Sequence, residues 1–218
     1  MKLYACCWDM YEKAMNEAKI RVAIDAGAND GGYTLTLARH GFKVHAFEPV
    51  PRMFAKMKEL HKDNPDVICN NLGLSDVNAI IPNVTVLDCW TIGNPGMGGL
   101  QVSPDFRSEP SFDMKVVRLD DYLDGLPIGI IKLDVDGYEF KVLRGAEKTI
   151  RKFKPPILCE FGTYLSKIGD SPKEFVNYIF NLGYNVVPMD GNCVFDSWDL
   201  IEPQFPFHTT FDVMLIPK

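Results

Sequence analysis

Carboxylates recur at one kind of place in this 218-residue sequence. Apolar runs that read as strands end at Asp25 in RVAID, at Glu48 after KVHAF, at Asp134 and Asp136 in GIIKLDVDG and at Glu160 in PILCEF; the run DVICNN leads on into Asp76. A single acid in such a place caps the following helix and needs no further explanation. Five strand ends that share the feature are harder to assign to five separate caps. Grouped carboxylates can accept hydroxyl groups, take up a proton or hold a hard cation such as Mg²⁺. In an open parallel sheet, ligands bind beyond the carboxyl ends of the strands, which is where these acids fall.

The stretch AIDAGANDGGYT (23–34) adds a tight, glycine-rich turn after the first of those strands. Gly27, Gly31 and Gly32 let the backbone bend sharply and let a ligand approach without a Cβ in the way. A dinucleotide fingerprint, G-x-G-x-x-G, would put a glycine at position 29, where the backbone must approach a pyrophosphate; this chain has Asn29. Glu48 follows Gly27 at the spacing where a carboxylate accepts both hydroxyls of a ribose. Turn, spacing and acid together point to a nucleoside without phosphates, and away from a nicotinamide or flavin dinucleotide.

The scaffold for these groups reads as a layered α/β domain over 21–218, preceded by a helical segment at 1–20. Strands are expected at 21–25, 43–47, 66–71, 129–135, 156–161, 184–189 and 211–216, with helices at 31–40, 51–63, 138–152 and 172–182. Ser171-Pro172 starts the last helix as cap and first-turn proline, and Gly183 ends it. Residues 77–118 form an inserted region with extra strands at 84–90 and in DMKVVRL, around the loop GNPGMGGLQVSPDFRSEP, which is either a connection or a lid. A hydrophobic content of 46% suffices for a sizeable core. The formal charge of -6 disfavours nucleic acid or an anionic membrane as partner, and no apolar run is long enough to span a bilayer. The polar start MKLYACCWDMYEKAMNEAK does not resemble a signal peptide, so a cytoplasmic location is expected. Six cysteines without a C-x-x-C pair suggest neither zinc nor a disulfide framework. The sequence sets no oligomeric state.

The ordered blocks DAGANDGGYTLTLA, HAFEPVP, NLGLSD, RLDDYL and IKLDVDGYEFKVLRGA resemble the FkbM-type family of class I S-adenosylmethionine-dependent methyltransferases, from about residue 21 to the end. The resemblance implies a Rossmann-like, seven-stranded, mostly parallel sheet with the last strand antiparallel and helices on both faces. It implies S-adenosylmethionine as cofactor and methyl transfer to a hydroxyl oxygen of a sugar or other small acceptor, a glycan or natural product included. Carried over by position, the backbone around Gly27 and the side chains of Asp25 and Asn29 face the methionine part of the cofactor, Glu48 holds the ribose, Ser75 and Asp76 flank the adenine, and Gly31 and Asp134 belong to the cofactor site as well. The turn Ser75-Asp76 reads equally as turn chemistry.

Methyl transfer from a sulfonium is an in-line displacement, so positioning supplies much of the catalysis; a hydroxyl acceptor must still lose its proton. Asp134, Asp136, Glu139 and Glu160 are the candidate bases. The bland account of Asp136 and Glu139 is attraction to a helix start. A divalent metal at these acids is possible chemistry but is not expected. Lys132 falls on the same side of its strand as Asp134 and could enter the site or pair with an acid. Of the four histidines, His40, His45 and His61 read as structural, and His208 is placed near the pocket by the last strand. Tyr4, Trp8 and Tyr11 form a helical stripe that could pack on the domain, cover the cofactor or meet a second subunit. Two other functions remain open: a catalytically silent binding module of the same fold, and a nucleotide-dependent oxidoreductase, against which Asn29 counts.

Overall fold

The computed structural model describes residues 3–86, 92–93, 111–162, 164–188, 193–204 and 210–218. Strands in chain order are β1 Val22–Ala26, β2 Lys43–Phe47, β3 Val67–Asn70, β4 Gly73–Leu74, β5 Ala79–Val86, β6 Ile92–Gly93, β7 Phe112–Val117, β8 Ile130–Leu133, β9 Ile157–Gly162, β10 Tyr184–Pro188 and β11 Thr210–Pro217. Helices are α1 Leu3–Glu17, α2 Gly32–Arg39, α3 Pro51–Leu60, α4 Leu119–Leu123, α5 Glu139–Gly145, α6 Glu147–Phe153, α7 Tyr164–Lys167, α8 Pro172–Asn181 and α9 Trp198–Ile201, with a 3₁₀ turn at Glu202–Gln204.

Seven strands make the main sheet in the order β10-β11-β9-β8-β1-β2-β3. β3, β2, β1, β8 and β9 run parallel, and β11 lies antiparallel between β9 and β10. Apart from the buried Asp25 and Lys132, the central strands β1 and β8 carry apolar side chains on both sides because helices cover both faces. On one face Ile24, Ile131 and Leu133 pack with Leu143, Ile150, Phe175 and Ile179 of α5, α6 and α8. On the other, Ala23, Val44, Ile130 and Leu158 pack with Tyr11 and Met15 of α1, Leu37 of α2 and Met57 of α3. Tyr11 is fully buried there, and α1 lies against β11. The side chains of Tyr4, Cys6, Cys7 and Trp8 are outside the described residues. Among the described residues no helix is long and apolar enough to cross a membrane.

Two elements depart from the sequence reading. The helix expected at 138–152 is two, α5 and α6, which meet at Ala146 (φ -113°). A Cβ on Gly145 would fall 1.9 Å from the carbonyl oxygen of Ser75, so the last turn of α5 sits directly on the chain leaving β4 and stops there. The α6 start is then capped from afar: both Asp120 oxygens, on α4, accept the amides of Lys148 and Thr149 at 3.0 and 2.9 Å. The inserted strand begins at Ala79, not 84. Pro82 cannot donate to a ladder, and β5 passes it through a bulge between Ile81 and Val84, with Asn83 at φ 54°. β5 pairs with β7, and β7 with β4, in a second sheet of order β4-β7-β5-β6. The expected strand beyond 86, nearly all of the loop at 93–112 and His208 lie outside the described residues.

Candidate functional site

The glycine-rich turn is pressed against the end of β8. Gly27 adopts φ +77°, and its amide and that of Ala28 both donate to the carbonyl of Phe47, at 3.1 and 2.9 Å. A Cβ on Gly27 would meet the Asp134 carbonyl oxygen at 1.8 Å. Gly27→Ala is therefore expected to force β1 and β8 apart at this end, lowering thermal stability by at least the roughly 1–3 kcal/mol of an overpacked core. Calorimetric unfolding of the ligand-free protein checks it; an unchanged melting temperature would contradict the packing described. Two residues on, Asn29 (φ 53°) donates its amide to Glu48 Oε2 at 2.8 Å, and Val50 donates to Glu48 Oε1 at 2.8 Å. Glu48 is thus fixed just past the end of β2 with one lone pair left on each oxygen. Burial raises its pKa, and the two backbone donors work against that rise.

Turn, Glu48 and the β8 end enclose a cavity of about 450 Å³. Its polar wall includes Asn29, Glu48, Ser75, Lys132, Asp134 and Asp136. Its apolar wall uses Val50, Leu72 and Leu74 and reaches the second sheet at Ile81, Met114 and Val116. The amide oxygen of Asn29 is buried and has no hydrogen-bond partner among the described residues. A nucleoside bearing an ammonium group fits this set: the turn without a Cβ gives it room, the Asn29 oxygen can accept, and Glu48 keeps two acceptor sites for hydroxyls.

Several expected site residues do not line the cavity, each for a local reason. Asp25 lies inside β1, one residue before its end, and points at its register partner Lys132. It is fully buried, with Oδ2 accepting from Thr34 Oγ1 at 2.6 Å and Oδ1 3.7 Å from Lys132 Nζ. Gly31 (φ +92°) turns to α3, where His61 Nε2 meets its carbonyl at 3.0 Å, and Gly32 takes its place at the cavity. Asp76 pairs with Arg144 of α5 at 3.3 Å, leaving Ser75 on the wall. Glu139 is buried beneath the turn after β8; one oxygen accepts the amides of Val135 and Gly137 at 2.8 and 3.3 Å. Glu160 lies inside β9 and is hydrogen-bonded to Thr210.

Lys132 was open between site and partner, and it serves both. It lines the cavity, donates to the Gly27 carbonyl at 2.7 Å and lies 3.3 Å from Asp134 Oδ2. Three further residues here were not singled out from sequence. Tyr33 of α2 sits over Lys132, its ring centre 5.0 Å from Nζ, and Tyr138 joins it on the wall. Asp212 faces Glu160 across the β9–β11 ladder. The one sequence signal for Asp212 was a charge inside the apolar run FDVMLI; its neighbour depends on antiparallel register, which the chain's local pattern does not encode.

The acids repel one another through a half-dry environment. Burial raises Asp136 to about 7, helped by Asp134 and Glu48 and opposed by Lys132. Burial, with Asp134 contributing, likewise lifts Glu139 to about 7, Glu160 to about 8 and Asp212 to about 6. A carboxyl whose folded pKa exceeds its unfolded one stabilises the fold fully at low pH and loses that contribution as pH rises through the folded value. These four groups make the ligand-free protein progressively less stable from about pH 4, where the same carboxyls ionise in the unfolded chain, to about pH 8, the highest of the folded values, measurable as a falling melting temperature. A melting temperature that rises across that window would contradict these environments. Among the described residues no cluster of three or more His, Cys, Asp or Glu is arranged to hold a metal ion.

Comparison with known proteins agrees with this fold. A family model, the methyltransferase FkbM domain, matches residues 25–186. Among solved structures, a methyltransferase FkbM from Methylobacillus flagellatus KT is 17% identical with a TM-score of 0.54, over 90% of this chain and 43% of that one. The chain thus spans less than half of that relative. An rRNA methylase from Streptococcus thermophilus is 15% identical over 97% of this chain and 96% of that one, TM-score 0.51. A putative methyltransferase from Streptococcus mutans, in complex with SAH, is 13% identical over 96% and 97%, TM-score 0.50. At these identities the likeness is one of fold. No curated protein matches the sequence.

Proposed function

The chain belongs to the FkbM methyltransferase family, and from that premise we propose that it uses S-adenosylmethionine to methylate a hydroxyl oxygen of a sugar or other small hydroxylated acceptor. The observation that carries the reading is one cavity holding both a nucleoside cradle, at Gly27, Asn29 and Glu48, and a carboxyl, Asp136, whose pKa lies near neutrality. In this reading Glu48 accepts the two ribose hydroxyls on its remaining lone pairs, and the Asn29 oxygen accepts the ammonium of the methionine part. Val50, Leu72 and Leu74 offer apolar faces to the adenine, with Ser75 at its polar edge. The bound cofactor supplies a methyl group already activated on a sulfonium.

What remains for the protein is alignment and one proton. Asp136 projects from a left-handed turn (φ 52°) onto the cavity wall and is the base we assign, because a carboxylate with a pKa near 7 is both available and basic enough at neutral pH. Asp134, held by Lys132, orients the acceptor hydroxyl beside it. Glu139 has a structural place, bracing the turn that presents Asp136. Incubating the protein with methyl-labelled cofactor and a panel of polyhydroxylated acceptors tests the assignment: label on an acceptor oxygen, with one S-adenosylhomocysteine released per transfer, is the expected result. Label found on nitrogen or carbon would overturn the oxygen-directed reading.

A further inference from the structure

We propose that Lys132 is a positioning residue that locks the cofactor turn to the chemical edge of β8, so that the two halves of the cavity are set as one unit. Its ammonium donates to the Gly27 carbonyl at 2.7 Å and contacts Asp134 Oδ2 at 3.3 Å. The third anchor is Asp25 Oδ1 at 3.7 Å, and Asp25 is itself fixed by Thr34 of α2. Tyr33 closes the cluster from the same helix. Lys132 thus joins β1, the turn after it, α2 and β8 through one cation that is 4% exposed.

A buried ammonium is costly unless paired and hydrogen-bonded, and a packed apolar residue would fill the same volume without that cost. The distinctive result of placing lysine here is directional. The carbonyl of Gly27 is tied down at the very residue whose missing Cβ lets the turn touch Asp134. The titratable groups that feel Lys132 are Asp25 from β1, Asp134 and Asp136 beyond β8, Tyr33 from α2, Glu48 beyond β2 and Asp212 from β11. Burial works against its charge, but Asp25 and Asp134 outweigh it and hold the pKa above the ordinary lysine value. Asp136 feels Lys132 along with Asp134 and Glu48, and it acts in turn on Glu160.

The test uses hydrogen exchange read by mass spectrometry on the ligand-free full chain, so the positioning role is judged apart from the catalytic reading on which its functional meaning rests. In Asp25→Asn/Lys132→Met neither buried charge is stranded, and peptides over 26–32 are expected to exchange at least about tenfold faster, the factor that one charge-assisted hydrogen bond supplies. Asp25→Asn alone keeps the Gly27 contact and leaves the turn at the wild-type rate, and α8 is unaffected in both. Lys132→Gln repeats the test with a polar side chain. There the turn again exchanges faster, and the acid limb of methyl transfer moves to higher pH because the cation that lowers the Asp136 pKa is gone. Wild-type exchange over 26–32 in both Lys132 variants would overturn the proposal, whatever the protein methylates.

Discussion

Asp136→Asn is expected to slow methyl transfer by about 10²- to 10⁴-fold, the usual worth of a positioned base. The substitution isolates the proton-accepting role well. Asn has nearly the same shape as Asp and is among the few residues that adopt φ near 52° readily, so the turn after β8 should keep its form. Affinity for S-adenosylhomocysteine should therefore stay close to wild type, and unfolding should become no easier because a buried charge is removed, while turnover collapses. The pH dependence gives an independent signature. Activity of the wild type requires the ionised carboxylate, so it falls as pH drops through about 7, the value set by burial and by Asp134 and Glu48. In the variant that limb disappears from the residual rate. A variant that turns over at the wild-type rate would move the base elsewhere, with Asp134, the neighbouring acid on the wall, first in line.

Glu48→Ala is expected to weaken cofactor binding by at least about 100-fold. Two hydroxyl hydrogen bonds to a buried carboxylate are worth about 1.5 kcal/mol or more each, and every 1.4 kcal/mol is a factor of ten in dissociation constant. Alanine also strands the amides of Asn29 and Val50, which both lose their acceptor, so the turn that carries Asn29 loosens as well. Glu48→Gln separates the two effects, because it keeps an oxygen for one amide and removes the charge. Isothermal titration with S-adenosylhomocysteine should rank wild type, Glu48→Gln and Glu48→Ala in order of falling affinity. Equal affinities would mean that the ribose is held elsewhere.

The main sheet was legible because its strands are short apolar runs between helices, and β2 runs over the very residues expected, Lys43–Phe47. The turn and the strand-end acids followed from the same punctuation. What the sequence could not resolve was a difference of one or two residues along a strand. Asp25 and Asp134 look alike as acids at the ends of apolar runs, yet Asp25 is the fourth residue of β1 and is buried against α2, whereas Asp134 follows the last residue of β8 and reaches the cavity. Both acids lie on the same face as Lys132, and it is the offset of two register positions along the strands that carries Asp134 past the sheet's end to the cavity while Asp25 stays inside it. Glu139 and Asp76 are cases of another kind, acids claimed by nearby donors, the amides of Val135 and Gly137 and the guanidinium of Arg144. The Glu139 contacts are local, but the Asp76–Arg144 pair, like the Glu160–Asp212 pairing, joins residues far apart in sequence and exists only once the chain is folded.

The central claim is that the bend between Asp25 and Gly32 holds a sulfonium nucleoside, and thermal unfolding with and without ligand tests it most directly. A ligand that binds only the folded state stabilises it by about 2.7 kcal/mol at 100 times its dissociation constant. The account predicts that S-adenosylmethionine and S-adenosylhomocysteine raise the melting temperature of the wild type and that NAD(H) does not. No shift with either adenosyl ligand at millimolar concentration, or a shift with NAD(H) alone, would contradict it.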